Sequence, residues 1–431
     1  MARTRLYPPS VDPGFPQLPP TPTGWEHTTF GDVLELVERP TRLDPDTRYR
    51  LLTAKRSRGG ITLRSELLGR EVLTKAQFEA RAGDFLISRR QIIHGACGVV
   101  PSALDGAVVS NEYSTLRTRP GLLMEFVRYY SHTPYFQRAC FHSSHGVDVE
   151  KMIFKIEEWL ARDFDLPPLA EQKKIVSILS SVDEAIEATQ AVIDQLQVVK
   201  KAMMAQLLTR GLPGRHTRFK QTEIGEVPEE WAVTPLGATG EWLSGGTPSK
   251  QDASLWIGPV PWVSPKDMKR PRICDAIDHV SRDALERGTQ LAPVGSVLMV
   301  VRGMILAHTF PVAVTTGPVA FNQDIKALVP NQDFESEFLL FWLQHRGTNI
   351  LDLTDVSNHG TKRLPSERLF ESGVPRPPVA EQRALIELLA GWDARIDSET
   401  ACLGQLHEVK AALMSVLLTG EVRVKPDDEA A

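Results

Sequence analysis

Two stretches of this chain are written in nearly the same letters. The first, PPLAEQKKIVSILSSVDEAI, begins at Pro167, and the second, PPVAEQRALIELLAGWDARI, begins at Pro377. Aligned without gaps, residues 167–209 and 377–419 are identical at about 18 of 43 positions. A duplication of this length indicates a repeated architecture, because each copy encodes the same supersecondary unit.

Both copies have the chemistry of a long helix. A Pro-Pro pair suits a helix start, where a missing N–H costs nothing, and Glu171 and Glu381 place negative charge near the first turn. Apolar residues then recur at alternating spacings of four and three, which is typical of a coiled-coil seam. The seam residues are Ile175, Leu179, Val182, Ile186, Ile193, Leu196, Met203 and Leu207 in the first copy, and Leu385, Leu389, Trp392, Ile396, Leu403, Leu406, Leu413 and Leu417 in the second.

Polar residues interrupt the two seams at matching places. Thr189 corresponds to Glu399 and Lys200 to Lys410, and polar seam residues often fix the register between helices. Each helix of about 42 residues would be roughly 63 Å long. We expect the two helices to bury each other as an antiparallel coiled coil; the alternative is two long helices in unrelated domains.

The segments that precede the helices are also similar to each other. GDFLISRRQIIHGACGVV in the first aligns with GSVLMVVRGMILAHTFPV in the second, and short strand-like runs alternate with turn signals in both. The sequence therefore predicts an α+β fold with two tandem globular domains, each followed by a long helix, with pseudo-two-fold symmetry. The predicted boundaries are a Pro-rich segment 1–24, domain one 25–165, helix one 166–212, a linker 213–230, domain two 231–375, helix two 376–420 and a tail 421–431.

The composition restricts the class of protein. The 431 residues are 42% hydrophobic and 24% charged, as in globular proteins, and no apolar run approaches the roughly 18 residues of a membrane span. The N-terminal stretch lacks the apolar core of a signal peptide, so we expect a cytoplasmic protein with no membrane partner. The four cysteines form no CxxC pair, and the histidines show no metal-ligand spacing, so no metal site is expected.

Catalytic motifs are weak. No Asn-Pro-Pro-aromatic or Asp-Pro-Pro-aromatic loop, which an amino-methyltransferase needs, is present, and no GxGxxG loop follows a strand. GEWLSGGT resembles a phosphate loop in length, but Gly246 stands where the lysine is required. Asp324-Ile325-Lys326 matches the short acid-x-Lys end of a nuclease site, a pattern common by chance. The sequence therefore favours a chain without catalysis or a bound cofactor of its own.

Several segments resemble a known family. IGEVPEEWAVTPLGATGEWLSGGTPSK, WVSPKDM, SVLMVVRGMI, FNQDIKAL and the repeated PPxAEQ before a long helix are similar to the specificity subunit of type I restriction–modification enzymes. Domain one departs from this pattern, since LVERPTRLDP stands where domain two has GGTPS. The resemblance implies that each domain reads half of a split double-stranded DNA site and that the helices hold the halves apart.

The resemblance also implies the partners. They are two methyltransferase subunits and, in the full enzyme, restriction/translocase subunits, to which the methyl donor and ATP belong. The rival hypothesis is a coiled-coil scaffold whose globular ends bind proteins without DNA specificity. Basic clusters speak against it, because the segment from Arg39 to Arg64 contains eight Lys/Arg and only two acidic residues, Asp44 and Asp46.

Candidate DNA contacts follow from side-chain chemistry, since phosphates need donors and base edges need matched donors and acceptors. Arginine can bind guanine bidentately or pair with a carboxylate, and asparagine or glutamine can read adenine or cap a turn. In domain one the candidates are Arg39, Arg56, Arg58, Arg89, Arg90, Asn111 and His145. In domain two they are Ser244, Gly246, Thr247, Lys250, Lys266, Lys269, Arg302, Asn322, Gln323, His359 and Lys362.

Overall fold

The structure is a computed structural model that describes residues 7–74, 76–356 and 361–425. The chain divides into two compact units. Unit 1 is built from the described parts of Met1–Thr189 and Cys402–Ala431, and unit 2 from those of Gln190–Ala401. Each unit therefore contains one globular domain and a part of each long helix.

Unit 1 begins with a mixed globular domain. Its strands are β1 (Glu26–Thr29), β2 (Leu34–Leu36), β3 (Pro40–Thr41), β4 (Arg48–Ala54), β5 (Ile61–Leu68), β6 (Gln77–Ala80), β7 (Phe85–Ser88), β8 (Cys97–Val99), β9 (Ala107–Ser110), β10 (Tyr113–Thr118), β11 (Ser144–His145), β12 (Ile153–Phe154) and β13 (Asp163–Leu166). Its helices are α1 (Phe30–Val33), α2 (Met124–Tyr130), α3 (Pro134–His142) and α4 (Ile156–Leu160), and the long helix α5 (Leu169–Arg210) follows.

Two sheets and an aromatic core hold unit 1 together. One sheet has the antiparallel order β2-β10-β7-β8, and the other has the order β3-β6-β9-β4-β5, in which β4 and β9 are parallel. Phe30 stacks on Trp159 at a centroid distance of 4.2 Å, and Phe136 packs edge-on against both rings. Such buried rings contribute much of the apolar area that stabilises a domain.

Unit 2 repeats this plan. Its strands are β14 (Phe219–Thr222), β15 (Gly225–Pro228), β16 (Ala232–Pro235), β17 (Gly240–Ser244), β18 (Val260–Val263), β19 (Arg272–Ile273), β20 (Asp278–Val280), β21 (Gln290–Ala292), β22 (Val297–Val300), β23 (Val312–Thr315), β24 (Val319–Phe321), β25 (Ile325–Pro330), β26 (Asp355–Val356), β27 (Lys362–Arg363) and β28 (Gly373–Arg376). Its helices are α6 (Asp283–Arg287), α7 (Ser336–His345), α8 (Gly347–Leu351) and α9 (Ser366–Glu371), and the long helix α10 (Val379–Leu417) follows.

The sheets of unit 2 correspond to those of unit 1. One has the order β17-β25-β22-β23-β19, and the other has the order β20-β18-β24-β21, in which β18 and β24 are parallel. Helix α7, whose residues 338–343 are all buried, packs on β22 and β23. In both domains the entering and leaving strands pair antiparallel, Glu26 with Leu166 and Ala232 with Arg376, so each domain starts and ends at one place.

The long helices α5 and α10 pack together, as the seams predict, and the expected α+β fold with two tandem domains is confirmed. The seam residues are buried or half-buried throughout, and Ile175, Leu179, Leu385 and Leu389 are completely enclosed. Each seam lysine pairs with an aspartate of the opposite helix: Lys410 binds Asp183 in unit 1. In unit 2 Lys200 binds Asp393.

The repeated Ala-Glu-Gln motif fastens each helix start to its own domain through the glutamate. Glu171 and Glu381 are buried, and each accepts a hydrogen bond from a tryptophan indole, Trp25 Nε1 at 3.0 Å and Trp231 Nε1 at 3.2 Å. Burial by itself raises the pKa of Glu171, but hydrogen bonds from Arg423 and Trp25 outweigh it and lower the pKa. Trp25 and Trp231 are thus buried anchors that connect each domain to the start of its long helix.

The glutamines of the motif complete the same joint. Gln172 Oε1 accepts from Leu123 N at 2.8 Å, and Gln382 Oε1 accepts from Glu335 N at 2.9 Å. Both amide groups also donate to the carbonyl of the first proline of their own Pro-Pro pair, at 2.8 Å and 2.9 Å. The letters PPxAEQ therefore recur because each copy satisfies the same set of buried polar groups.

Candidate nucleic-acid interface

A cleft of about 920 Å³ in unit 2 collects five of the residues selected from the sequence. It is lined by Thr247, Lys250, Lys266, Asn322 and Gln323. The loop after β17 contributes the first two, the loop after β18 contributes Lys266, and the turn between β24 and β25 contributes the last two. Because β18 and β24 are parallel neighbours, their carboxyl ends meet at one edge of the sheet.

The cleft also contains residues that were not among the candidate DNA contacts. They are Ala253, Trp256, Ile257, Trp262, Ser264, Pro265 and Asp278, together with Asp324, which the sequence singled out only for its acid-x-Lys pattern. The rings of Trp256 and Trp262 pack edge-on at 5.0 Å, while Ile257 next to them is 77% exposed. The cleft thus combines an apolar wall with lysines and carboxylates. The quoted motif WVSPKDM contains Trp262, Ser264 and Lys266, which is the signal that could have identified this wall.

The glycines of the loop after β17 are required by packing. A Cβ on Gly246 would lie 2.0 Å from Gly288 O, and one on Gly245 would lie 2.1 Å from Asn322 O. Gly246 O also accepts a hydrogen bond from Trp262 Nε1 at 3.0 Å. The loop is therefore pressed against its own domain, and Gly246 supports the cleft wall through its backbone.

Asn322 is buried, and its amide is bonded within its own turn. Asn322 Oδ1 accepts from Asp324 N at 3.1 Å, and Asn322 Nδ2 donates to Asp324 Oδ2 at 3.2 Å. Its backbone N–H donates to Val263 O at 3.0 Å. These bonds fix the turn against β18. Next to it Gln323 accepts a hydrogen bond from Thr247, which connects two loops of the cleft.

Arg302 lies beside this turn, and Lys362 lies next to Gly303, the residue after Arg302. Arg302 Nε is 3.8 Å from Asp324 Oδ1, and its side chain is half exposed. Lys362 on β27 donates to Thr354 Oγ1 at 3.3 Å, and its carbonyl accepts from Gly303 N at 3.0 Å.

The remaining candidates of domain two are placed elsewhere or are not described. Lys269 lines a different cavity of about 370 Å³ together with His308. Ser244 Oγ accepts from Lys326 Nζ at 3.2 Å, and burial lowers the pKa of Lys326. His359 lies outside the described residues.

In unit 1, three of the selected arginines are bound by acidic or amide side chains. Arg39 donates to the fully buried Asp84 at 2.6 Å, with only 15% of its own side chain exposed, so its guanidinium is part of the domain interior. Arg56 is exposed and donates to Gln91 and Glu150 at 2.7 Å and 3.0 Å. Arg90 donates to Glu112 Oε2 at 2.6 Å.

The other selected residues of unit 1 are more varied. Arg58 has a left-handed backbone (φ 63°), and its guanidinium donates to Ser10 O at 2.8 Å; burial lowers its pKa. Arg89 is half-buried, and within the described residues its Nε has no hydrogen-bond partner. Asn111 is exposed in the turn between β9 and β10, and His145 Nε2 is 2.8 Å from Glu158 Oε2. Of these residues, Arg58 lines a cavity of about 370 Å³ together with Arg128 and His132.

The described part of the chain contains neither a cluster of metal ligands nor a membrane-spanning helix. Across residues 7–74, 76–356 and 361–425, no three His, Cys, Asp or Glu side chains are grouped as metal ligands would be. Over the same ranges, every helix is too short or too polar to cross a bilayer.

Comparison with known proteins places the chain in a family. The model of the type I restriction modification DNA specificity domain matches twice, at residues 22–198 and 228–408. A type I restriction enzyme specificity subunit of Escherichia coli is 30% identical over 221 residues, which are 51% of this chain and 54% of that protein. One from Methanocaldococcus jannaschii is 26% identical over 278 residues, covering 60% of this chain and 62% of the relative. The matches thus span between about half and three fifths of these relatives.

Solved structures have the same fold. A chain of a type I R-M system aligns with a TM-score of 0.60 at 17% identity, covering 94% of this chain and all of that one. The type I restriction–modification S subunit from M. genitalium aligns with a TM-score of 0.53 at 14% identity, over 94% and 99% of the two chains. With two copies of the specificity domain that together match most of its length, the chain belongs to the type I restriction–modification DNA specificity family.

Proposed function

We propose that this chain is the non-catalytic DNA-reading subunit of a type I restriction–modification complex. Each globular domain reads one half of a bipartite double-stranded target, and the paired helices α5 and α10 separate the two readers. In this proposal the chain assembles in the cytoplasm with two methyltransferase subunits and with restriction/translocase subunits, which carry the methyl donor and ATP.

The observation that carries the proposal is the cleft of unit 2. It combines Lys250 and Lys266, which suit phosphates, with Gln323 and Asp324, which suit base edges. Trp256 and Ile257 add an apolar surface of the kind that contacts the thymine methyl group.

A salt titration of DNA binding by the full chain tests the proposal. The logarithm of the association constant should fall linearly with the logarithm of salt concentration, because bound phosphates release counterions. Lys266→Ala should weaken binding to all sequences alike and lower the slope by about one. Lys220→Ala is the matched control, since Lys220 lies on β14 and donates to Glu229 O outside the cleft. A chain that binds protein partners but shows no salt-dependent DNA binding would support the scaffold hypothesis instead.

A further inference from the structure

Asp324 presents a fixed carboxylate at the edge of the cleft. Its backbone N–H and its Oδ2 are both bonded to the Asn322 amide, at 3.1 Å and 3.2 Å, and its carbonyl accepts from Val301 N at 2.8 Å. In the described part of the chain, Oδ1 has no hydrogen-bond donor; its neighbour is Arg302 Nε at 3.8 Å, beyond hydrogen-bond range. The side chain is 25% exposed, so one oxygen is held in place and remains free to accept.

We propose that Asp324 sets a base preference of the half-site read by domain two, by accepting a hydrogen bond from the exocyclic amine of a cytosine in the major groove. The inference rests on the proposed DNA-reading function and adds to it the residue and the base. It also assigns Asn322 a different task from the adenine reading that its residue type suggests.

Electrostatics favours a base edge over the backbone as the target of this carboxylate. A phosphate would be repelled by Asp324, and the lysines at 250 and 266 already offer positive charge to the backbone. On DNA, the exocyclic amines of the bases are the groups that can donate a hydrogen bond to a carboxylate in the major groove.

Among the four bases, cytosine fits best. Its N4 amine is a donor with no acceptor on the same base at the major-groove edge, whereas the adenine amine shares its base edge with the acceptor N7, and guanine and thymine present acceptors there. The adjacent Arg302 supplies the complementary half, because a guanidinium can bind guanine O6 and N7 bidentately. An acceptor and a donor fork side by side therefore match the two bases of one C·G pair.

Asn322 acts through Asp324 as a positioning residue. Its Oδ1 and Nδ2 are both bonded to Asp324, and the residue is only 6% exposed. It therefore cannot also present a donor and an acceptor to adenine. Without it the carboxylate would lose the hydrogen bond from Asn322 Nδ2 that orients Oδ2, and the Asp324 backbone N–H would lose its acceptor.

The test is selection of bound sequences from a randomised duplex library by the full chain, followed by competition binding. The wild-type chain should select a C·G pair at one position of the half-site. Asp324→Asn, which preserves the shape, should reduce the preference for cytosine there by about 5- to 150-fold and leave the other positions unchanged. Asp278→Asn is the matched control, because it removes another carboxylate of the same cleft.

The role of Asn322 is tested by combination. Asn322→Ala should weaken the preference at the same position, and the double variant Asn322→Ala/Asp324→Asn should be no worse than Asp324→Asn alone, because both changes remove one interaction. If Asp324→Asn lost its thermal transition, Asp324→Glu would replace it: it retains the acceptor but moves it by one methylene, and an altered preference at that position alone is expected.

The outcomes separate the two proposals. An unchanged preference in the Asp324 variants, or an equal loss in Asp278→Asn, would overturn the assignment of Asp324 while DNA reading by the chain stands. A wild-type chain that enriches no sequence at all would instead overturn the proposed function.

Discussion

A buried carboxylate at the start of each long helix binds residues that are far away in the sequence. Glu381 is fully enclosed and accepts from Trp231 Nε1 at 3.2 Å and lies 2.8 Å from His216 Nε2. Its removal leaves buried donors without an acceptor, and each such donor costs about 1–3 kcal/mol.

Glu381→Gln should therefore destabilise unit 2 by about 1–3 kcal/mol, because the amide cannot serve both donors and carries no charge. Hydrogen exchange of the paired strands β16 and β28 during denaturation would measure the loss locally. Glu387→Gln is the control, since Glu387 is exposed on the same helix, and its effect should stay within about 0.5 kcal/mol. Equal effects of the two changes would contradict the importance of the Trp231 and His216 bonds.

His132 gives unit 1 a dependence of stability on pH. Burial, reinforced by the positive charges of Arg58, Lys410 and Arg128 against the single opposing Asp183, lowers the pKa of His132 to about 4. Above the ordinary value of 6.5 the imidazole is neutral in both folded and unfolded chains. As the pH falls from there towards 4, only the unfolded chain binds the proton, so stability is lost across this window.

Replacing this histidine should flatten the profile. Between pH 7 and pH 4 the wild-type unit should lose about 2–3 kcal/mol more than His132→Asn. Denaturant unfolding of both proteins at several pH values measures this, and the difference at pH 8, where the imidazole is uncharged, gives the packing cost of the substitution itself. Parallel profiles from pH 8 to pH 4 would rule the assignment out.

At the scale of elements, the coiled coil has a register fixed by charge. Asp183 and Lys200 of the first copy correspond to Asp393 and Lys410 of the second, 210 residues later, and each lysine pairs with the aspartate of the other helix. Because the side chains of Lys200 and Asp393 are only 18% and 19% exposed, a mismatch there would leave a charge largely out of water.

Charge reversal tests this register. Lys200→Asp should destabilise unit 2 by about 3–5 kcal/mol, since it sets two carboxylates against each other. Adding Asp393→Lys should make the double variant more stable than the sum of the two single changes predicts, with a coupling free energy of about 1–3 kcal/mol in a double-mutant cycle followed by denaturant unfolding. Lys201→Asp, at the exposed neighbouring position, is the control. A double variant as unstable as the sum of the single ones would show that the pair does not set the register.

At the scale of the whole molecule, each globular domain has its own core and a single point of entry and exit. The pairing of Glu26 with Leu166 closes domain one, and that of Ala232 with Arg376 closes domain two. A domain with adjacent ends and an independent core can be replaced without altering the other.

Exchanging residues 26–166 for the corresponding segment of another family member should therefore change one half of the selected DNA site and leave the other half unchanged. Sequencing of the duplexes bound by the chimaera measures this, and exchange of residues 232–376 is the reciprocal control. Changes in both halves after a single exchange would contradict the proposal that each domain reads one half.

The sequence by itself determined the architecture. A gapless repeat, a four-three apolar spacing and the PPxAEQ starts predict two tandem domains and two paired helices, because helical periodicity and helix starts are written in neighbouring residues. The family resemblance lies in the same local motifs. Lys200 and Lys410 could also be identified as register-fixing residues from their positions in the seams.

Only the tertiary structure decided which polar side chains converge. Thr247, Lys266 and Asn322 are far apart in sequence, and the parallel pairing of β18 with β24 brings the last two to one edge. Arg39 and Arg302 are the same residue type, yet their surroundings differ. Arg39 is largely buried and paired with Asp84, whereas the side chain of Arg302 is half exposed. The free energy of a polar group depends on its burial and on its partners, and both are set by residues distant in the chain.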